Sequence, residues 1–184
     1  FTVEEESPDD KEIAVDPEML GKVFENLLPE NLRKGTGTYY TPREIVYYMC
    51  QESLVNYLDS NSNLGKEKAG KCVKSIKEGD DLISDKDAIE LDRLLEQIKI
   101  CDPACGSGAF LVGMLNEIVR LRLLLRVIYP SKLSKKSEYQ LKKDTIHNSI
   151  YGVDIDPGAI EIAKLRLWLT LVVDYEIRDI EPLP

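Results

Sequence analysis

The chain has 184 residues, of which 43% are hydrophobic, and its 24 basic and 33 acidic residues give a net charge of −9. This length suffices for one buried core with, at most, a helical attachment. The negative charge excludes a protein that grips nucleic-acid phosphates through its overall field, so such a partner would need a local patch or a region outside this chain. The sequence contains neither a run of about 18 uncharged apolar residues nor a secretory signal, and we expect a cytoplasmic protein without a membrane partner.

The cysteines do not have metal-binding spacing. Cys50, Cys72, Cys101 and Cys105 form no C-x-x-C pair, and the single histidine, His147, is distant from them in sequence. We therefore predict reduced thiols and no metal site. The chain begins with phenylalanine rather than methionine, which leads us to expect a piece of a longer protein.

Two helices are predicted in the first sixty residues. The first spans 17–28, because its apolar residues recur on one face. A loop at 29–42, rich in Gly, Pro and Thr, leads to the second helix, which spans about 42–58. Thr41 and Glu44 stand at the spacing of a capping box, with Thr41 as the cap of that helix.

The second half of the chain alternates strands and helices. Residues 59–85 are polar and predict a surface excursion, after which 87–97 are helical. The elements that follow are a strand at 98–101, a helix at about 108–127, a Lys/Ser-rich connection at 131–143, a strand at 149–155 and a helix at 156–173. This alternation, with an apolar last helix, predicts an α/β fold with a parallel sheet.

Lysines of the 131–143 connection are a candidate DNA contact. They are Lys132, Lys135, Lys136, Lys142 and Lys143. A solvated surface is the simpler interpretation of such a cluster, and it is the one that we adopt.

A glycine loop, "DPACGSG", follows the first of these strands. In a doubly wound sheet, ligands bind beyond the carboxyl end of such a strand, and Gly106 and Gly108 allow a close approach. A Walker loop would need Gly-Lys-Ser/Thr, and a dinucleotide loop would need a small residue where Leu111 stands. Asp102 at the strand end suits the ammonium group of S-adenosylmethionine, which carries no phosphate. A tight turn without a ligand is the remaining alternative.

Two aspartates follow the second strand. Asp154 is placed to accept hydrogen bonds from a ribose diol. Asp156, with Pro157 after it, predicts the cap of the last helix. The distance from the glycine loop to Asp154 exceeds the usual spacing of about 20 residues. We attribute this excess to the long helix and the lysine-rich connection.

Three segments in this order, "GTYYTPREIVYYM", "DPACGSGAFLV" and "YGVDIDPGAIEIAKLRLWL", closely resemble the adenine-N6 DNA methyltransferases of bacterial restriction–modification systems. The likeness covers about residues 16–59 and 96–175. It is nearest to single-chain enzymes that fuse a methylase to an endonuclease, and near to the modification subunits of multi-subunit systems. The resemblance implies a Rossmann-like S-adenosylmethionine-dependent methyltransferase fold, truncated after its second strand–helix unit.

The same resemblance implies a division of the chain. Residues 1–60 would be a helical segment with a cofactor-closing motif, 61–95 a polar connection and helix, and 96–184 the first part of the α/β domain.

The resemblance also implies the residues that bind S-adenosyl-L-methionine. They are Tyr39, Tyr40, Thr41, Pro42, Asp102, Pro103, Ala104, Cys105, Gly106, Ser107, Gly108, Phe110, Asp154 and Ile155. The segment 39–42 would close over the methionine end, Asp102 would bind the ammonium, Asp154 the ribose hydroxyls, and Ile155 would pack on the adenine. No catalytic residue is assigned, and Cys105 receives no nucleophilic role because nothing nearby would lower its pKa.

The chain departs from the family in one respect. It contains no Asn-Pro-Pro-aromatic motif, which in this family holds the target base. We therefore expect a fragment that is inactive alone, with double-stranded DNA contacted through regions outside it and with restriction or specificity subunits as further partners. The alternatives are a methyltransferase of protein glutamine or RNA, and a docking module that uses the helix at 17–28.

Overall fold

A computed structural model describes Val23, residues 41–75 and residues 83–172. Its helices are α1 (Arg43–Asn61), α2 (Lys66–Ser75), α3 (Asp85–Gln97), α4 (Ala109–Ile128), α5 (Glu138–Ser149) and α6 (Pro157–Val172), and its strands are β1 (Ile100–Asp102) and β2 (Ile150–Gly152). The helix predicted at 17–28 lies outside the described residues, apart from Val23, which is helical. None of the described helices is long and apolar enough to cross a membrane.

The two strands pair in parallel. Ile100 lies opposite Ile150, and Asp102 lies opposite Gly152. The predicted α/β class and the parallel pairing are confirmed, although each strand is only three residues long. Past the end of β2, the Val153 N–H still donates to the Asp102 carbonyl oxygen over 2.9 Å, so contact between the two segments continues into the loops.

Helix α4 forms the centre of the core. Its sequence is apolar on nearly every side, as expected for a helix that is covered all round. On one side it packs against α1, α3 and β1, and on the other Leu115 and Val119 pack against Leu141 of α5. The prediction of a long helix at about 108–127 is confirmed to within one residue at each end.

Helix α2 was not expected, because 59–85 was predicted as a surface excursion. Ala69, Cys72 and Val73 are fully buried in it, at positions i, i+3 and i+4. Most other positions of α2 are lysine, glutamate or serine, so the composition hides a narrow apolar stripe. Packing against α1 stabilises a helix that is too short to form alone.

Helix α5 corrects the prediction of a lysine-rich connection at 131–143. Ser137 caps it and Gln140 completes a capping box, a pattern that could have been recognised in the sequence. Lys132 and Lys143 are exposed as expected, whereas Lys142 is buried and pairs with Glu138 over 3.1 Å. The long separation between the glycine loop and Asp154 therefore contains a packed helix.

The capping box predicted for α1 is wrong. Pro42, with extended ψ of 144°, occupies the cap position, and no side chain caps the helix. The helix begins one residue later than the pattern requires, so Glu44 is too close to the cap to bond back to it. Capping boxes do occur at Ser84 of α3 and Ser137 of α5.

Candidate functional site

The glycine loop connects the end of β1 with the start of α4. Gly106 has φ of +52° and Gly108 has φ of +80°, a left-handed conformation that residues with a side chain rarely adopt. Gly108 is also the cap position of α4, where no side chain bonds to the first turn. The two glycines are thus required by the turn itself, whereas the sequence analysis assigned them to the close approach of a ligand.

The backbone of this loop is held by the segment that follows β2. The Cys105 N–H donates to the Val153 carbonyl oxygen over 3.0 Å. The Gly106 N–H donates to Oδ2 of Asp154 over 2.7 Å, across a separation of 48 residues. Asp154 therefore fixes the loop, which adds a structural role to the ligand role predicted for it.

Helix α6 packs against the loop and forms hydrogen bonds with it. Nη1 of Arg166 donates to the carbonyl oxygen of Ser107 over 2.8 Å and lies 3.2 Å from its hydroxyl. A Cβ on Gly108 would lie only 2.9 Å from the Cβ of Ala163, so α6 packs directly against the loop. Sequence reasoning missed Arg166, and the available signal was a basic residue within a largely apolar helix.

Gly106 differs from the other loop glycine, because its Cβ position has no atom within 4 Å. Two carboxylates accept hydrogen bonds from the backbone of this loop. Asp102 accepts from the Ala104 N–H over 3.1 Å, and Asp154 also accepts from the Asp156 N–H over 2.9 Å. Within 41–75 and 83–172, neither carboxylate forms an ion pair, so the loop carries two negative charges that keep further acceptor positions.

The contact between α4 and β2 depends on Leu111. A Cβ on Gly152 would lie 2.7 Å from Cδ1 of Leu111 and 3.0 Å from Sγ of Cys105. Leu111 thus packs the helix against the strand, and Gly152 provides the room for it. A large residue on the helix and a glycine on the strand reverse the arrangement that a dinucleotide loop uses.

Exposed apolar side chains follow β2 beside the loop. Ile155 is 84% exposed and Val153 is 57% exposed. An aliphatic group exposed to this degree gains free energy when a flat apolar ring covers it. Ile155 was assigned from the resemblance, whereas Val153 was not.

The remaining assigned loop residues have distinct surroundings. Pro103 and Ala104 are exposed, whereas Phe110 is half-buried and packs against the core. Burial raises the pKa of the Cys105 thiol, and the negative charges of Asp102 and Asp154 raise it further. A backbone hydrogen bond acts in the opposite direction without reversing the upward shift of this pKa. The absence of a nucleophilic role for Cys105 stays a prediction.

The cap predicted for the last helix is confirmed. Asp156 accepts from the Gly158 N–H over 2.8 Å at the start of α6. Its carboxylate is therefore committed to the helix, which leaves Asp154 as the acidic residue that faces the loop.

The segment predicted to close over the cofactor is described only in part. Tyr39 and Tyr40 lie outside the described residues, and Thr41 and Pro42 are exposed just before α1. Helix α1 is tied to α4 by a hydrogen bond from Gln51 to Glu117, at 3.3 Å. In the described ranges, no three His, Cys, Asp or Glu side chains are grouped so that they could hold a metal ion.

Comparison with known proteins identifies several relatives. The chain is 33% identical over 183 residues, 93% of its length, to a protein named as a type II restriction enzyme and methyltransferase in Methanocaldococcus jannaschii. It is 27% identical over 158 residues, 84% of its length, to DNA methyltransferase A of Bacillus subtilis. It is 31% identical over 86 residues, 47% of its length, to the adenine-specific methyltransferase PglX of Streptomyces coelicolor.

The chain spans only 15%, 16% and 6%, respectively, of the length of these relatives. No solved structure matches it at a significant level. The family of the MmeI DNA-methyltransferase domain matches residues 79–180, which include the glycine loop, Asp154 and α6. The chain therefore belongs to the family of the MmeI DNA-methyltransferase domain.

Proposed function

We propose that this chain forms the S-adenosylmethionine-binding part of a site-specific adenine-N6 DNA methyltransferase. The observation that carries the proposal is the glycine loop itself: its backbone donates to two carboxylates that pair with no cation in the described part of the chain, and the space beside Gly106 is open. A pyrophosphate would be repelled there, whereas an ammonium and a ribose diol would be attracted. The relatives named as adenine-specific methyltransferases support the choice of adenine.

Five of the assigned residues have a specific role in this proposal. Asp102 binds the ammonium of the methionine end, and the free lone pairs of Asp154 accept from the ribose hydroxyls. Ile155 covers one face of the adenine, and Thr41 and Pro42 belong to the segment that closes over the methionine end. When bound, the cofactor supplies a methyl group activated by a sulfonium, so the protein contributes orientation and electrostatics rather than a nucleophile.

The fold of the whole catalytic domain is proposed to be Rossmann-like. The parallel pair β1–β2 with α4 and α6 is the repeating unit of such folds. One apolar core extends from Val46 to Tyr129 across the boundaries between 1–60, 61–95 and 96–184. We therefore propose this division as a functional one rather than as three separately packed units.

A calorimetric titration tests the cofactor. The folded chain, checked by circular dichroism, is titrated separately with S-adenosylmethionine and with NAD. We expect heat of binding with the first ligand only. Binding of NAD with exclusion of the sulfonium compound, or no binding of either ligand at millimolar concentration, would overturn the proposal.

Methyl transfer is a separate question, because the target amine of adenine must first be flipped out of the duplex and held. The sequence has no Asn-Pro-Pro-aromatic motif to hold it. We propose that the chain alone does not methylate and that double-stranded DNA is bound through other parts of the protein. Transfer of a labelled methyl group to duplex DNA by the chain alone would contradict this, whereas transfer only by the longer parent protein would support it.

A further inference from the structure

Arg166 is a buried cation in a largely apolar helix. Its side chain is only 3% exposed, and its neighbours along α6 are Leu165 and Leu167. A guanidinium taken out of water costs free energy unless hydrogen bonds replace the lost solvent. An unbranched apolar residue would avoid that cost, so the arginine has to be explained by what it contacts.

The contact is with one peptide group of the glycine loop. Nη1 of Arg166 donates to the carbonyl oxygen of Ser107 over 2.8 Å. The N–H of the same peptide, which belongs to Gly108, donates to the carbonyl oxygen of Cys105 over 2.8 Å. The peptide between Ser107 and Gly108 is thus held at both of its polar ends, and α6 holds one of them.

This peptide needs a restraint because a glycine follows it. A peptide group flips by rotating ψ of the residue before it and φ of the residue after it, and glycine populates positive and negative φ about equally. Gly108 has φ of +80°. A flip would turn the Ser107 carbonyl oxygen away from Arg166 and break the bond from Gly108 to Cys105. The guanidinium opposes the flip, since a charged donor forms a stronger hydrogen bond than a neutral one.

The same turn carries the contact with Asp154. The bond from Gly108 to Cys105 spans a four-residue turn, and Gly106 is its second residue. The direction of the Gly106 N–H, which donates to Oδ2 of Asp154, depends on the conformation of that turn. Arg166 is therefore linked through the backbone to the carboxylate that is proposed to bind the ribose hydroxyls.

We infer that Arg166 is a positioning residue for the cofactor: it holds the peptide after Ser107 in the orientation in which the Gly106 N–H donates to Asp154. The inference rests on the proposed function, because it needs a ligand that binds at this carboxylate. It concerns a residue to which the family resemblance gave no role.

Two substitutions and one control test it. Arg166→Met keeps an unbranched stem but removes the donors and the charge, whereas Arg166→Lys keeps the charge without the planar fork of donors. Thr170→Val is the matched control, because the buried Thr170 hydroxyl donates within α6, to the Arg166 carbonyl oxygen over 2.9 Å. Each full-length variant is titrated calorimetrically with S-adenosylmethionine. Hydrogen exchange of the Gly106 and Gly108 amides is followed by NMR without ligand, and the melting temperature is measured.

We expect Arg166→Met to weaken binding of S-adenosylmethionine by about tenfold, the effect of losing a hydrogen bond from a charged group. The amides of Gly106 and Gly108 should exchange about tenfold faster relative to those in the middle of α4. Arg166→Lys should lose about threefold in affinity, with a smaller change in exchange. Thr170→Val should leave affinity and relative exchange within about twofold, even if its melting temperature falls.

Three results would overturn the inference alone: unchanged exchange of the loop amides in Arg166→Met, faster exchange without weaker binding, or equal loss of binding in Thr170→Val. The last result would assign the effect to the packing of α6. If Arg166→Met does not fold, Arg166→Lys decides, since it must lower affinity and speed up exchange together. Failure of the unmodified chain to bind S-adenosylmethionine would instead remove the proposed function, and this inference with it, even if the exchange data show that Arg166 holds the turn.

Discussion

The two ends of α4 use carboxylates in opposite ways. At its C-terminal half, Asp92 accepts from Arg122 over 2.8 Å and forms an ion pair with Arg126 at 3.2 Å. At its N-terminal end, Asp102 and Asp154 accept backbone N–H groups, and within the described ranges they pair with no basic side chain.

We call the C-terminal half of α4 the closed end, because its charged side chains are paired with one another. Arg122 also contacts Glu96 at 3.3 Å, and Lys136 bridges Glu96 and Asp144 at 2.9 and 2.8 Å. Three cationic and three acidic side chains thus join α3, α4 and α5. The comparison indicates that charge is neutralised where the fold needs rigidity and is left unpaired where the proposed ligand would bind, since an unpaired carboxylate is available to a cationic group.

The largest effect is expected at the closed end. Asp92→Ala would leave the buried guanidinium of Arg122 without its best partner and should lower the free energy of unfolding by about 3–5 kcal/mol. Glu67→Ala is the control, because Glu67 pairs with Lys71 on the exposed surface and should change stability little. Urea denaturation measures the free energy of unfolding of both variants. Equal effects would mean that the Asp92–Arg122 pair stabilises the fold no more than an exposed ion pair does.

The next effect concerns the packing of α6 beneath the loop. Gly108→Ala and Gly65→Ala both force alanine into positive φ, at +80° and +75°, but only the first also meets Ala163. Each should therefore lose about 1–2 kcal/mol to the backbone conformation. Gly108→Ala should lose a further 1–3 kcal/mol or so to overpacking. Thermal unfolding gives the difference, and a difference near zero would contradict close support by α6.

Asp154 is expected to act on binding as well as on the loop. Asp154→Ala should weaken S-adenosylmethionine by roughly 1–3 kcal/mol, because buried polar partners lose their acceptor. The neighbouring Asp156→Ala removes the cap of α6 and should lower stability by about 0.5–2 kcal/mol without this loss of affinity. Calorimetry and thermal unfolding are run on both variants, and unchanged affinity in Asp154→Ala would move the ribose contact elsewhere.

The smallest effect is a pH dependence at the closed end. The hydrogen bond from Lys136 is the main cause that lowers the pKa of Glu96 from its ordinary value of 4.5, although burial opposes the shift. A folded pKa below the unfolded one contributes stability that is present above pH 4.5 and is lost as the pH falls through the folded pKa. Urea denaturation from pH 6 to pH 3 should therefore show a shallower fall in Glu96→Gln than in the unmodified chain. An identical fall in both would contradict the coupling.

Much of the site was predictable from local sequence. The glycines at 106 and 108, the acidic residue that ends β1 and the Asp-Pro cap of α6 are patterns within a few residues, and local patterns determine backbone conformation at turns and caps. The long helix α4 was equally clear, because apolar residues recur along its whole length. Helix α2 was not, since one apolar stripe among lysines resembles a solvated segment until a neighbouring surface covers it. Helix α5 was also missed, although the capping box at Ser137 was a local signal for its start.

The sequence by itself therefore determined where the loop lies along the chain and which way its backbone turns. It also determined the family to which the chain belongs. The tertiary structure alone decided what holds that loop: Arg166 at Ser107 across 59 residues, Asp154 at Gly106 across 48, and Ala163 against Gly108. The reason is physical. Turns and caps are set by neighbours along the chain, whereas these contacts exist only once packed helices bring distant segments within hydrogen-bonding or van der Waals distance.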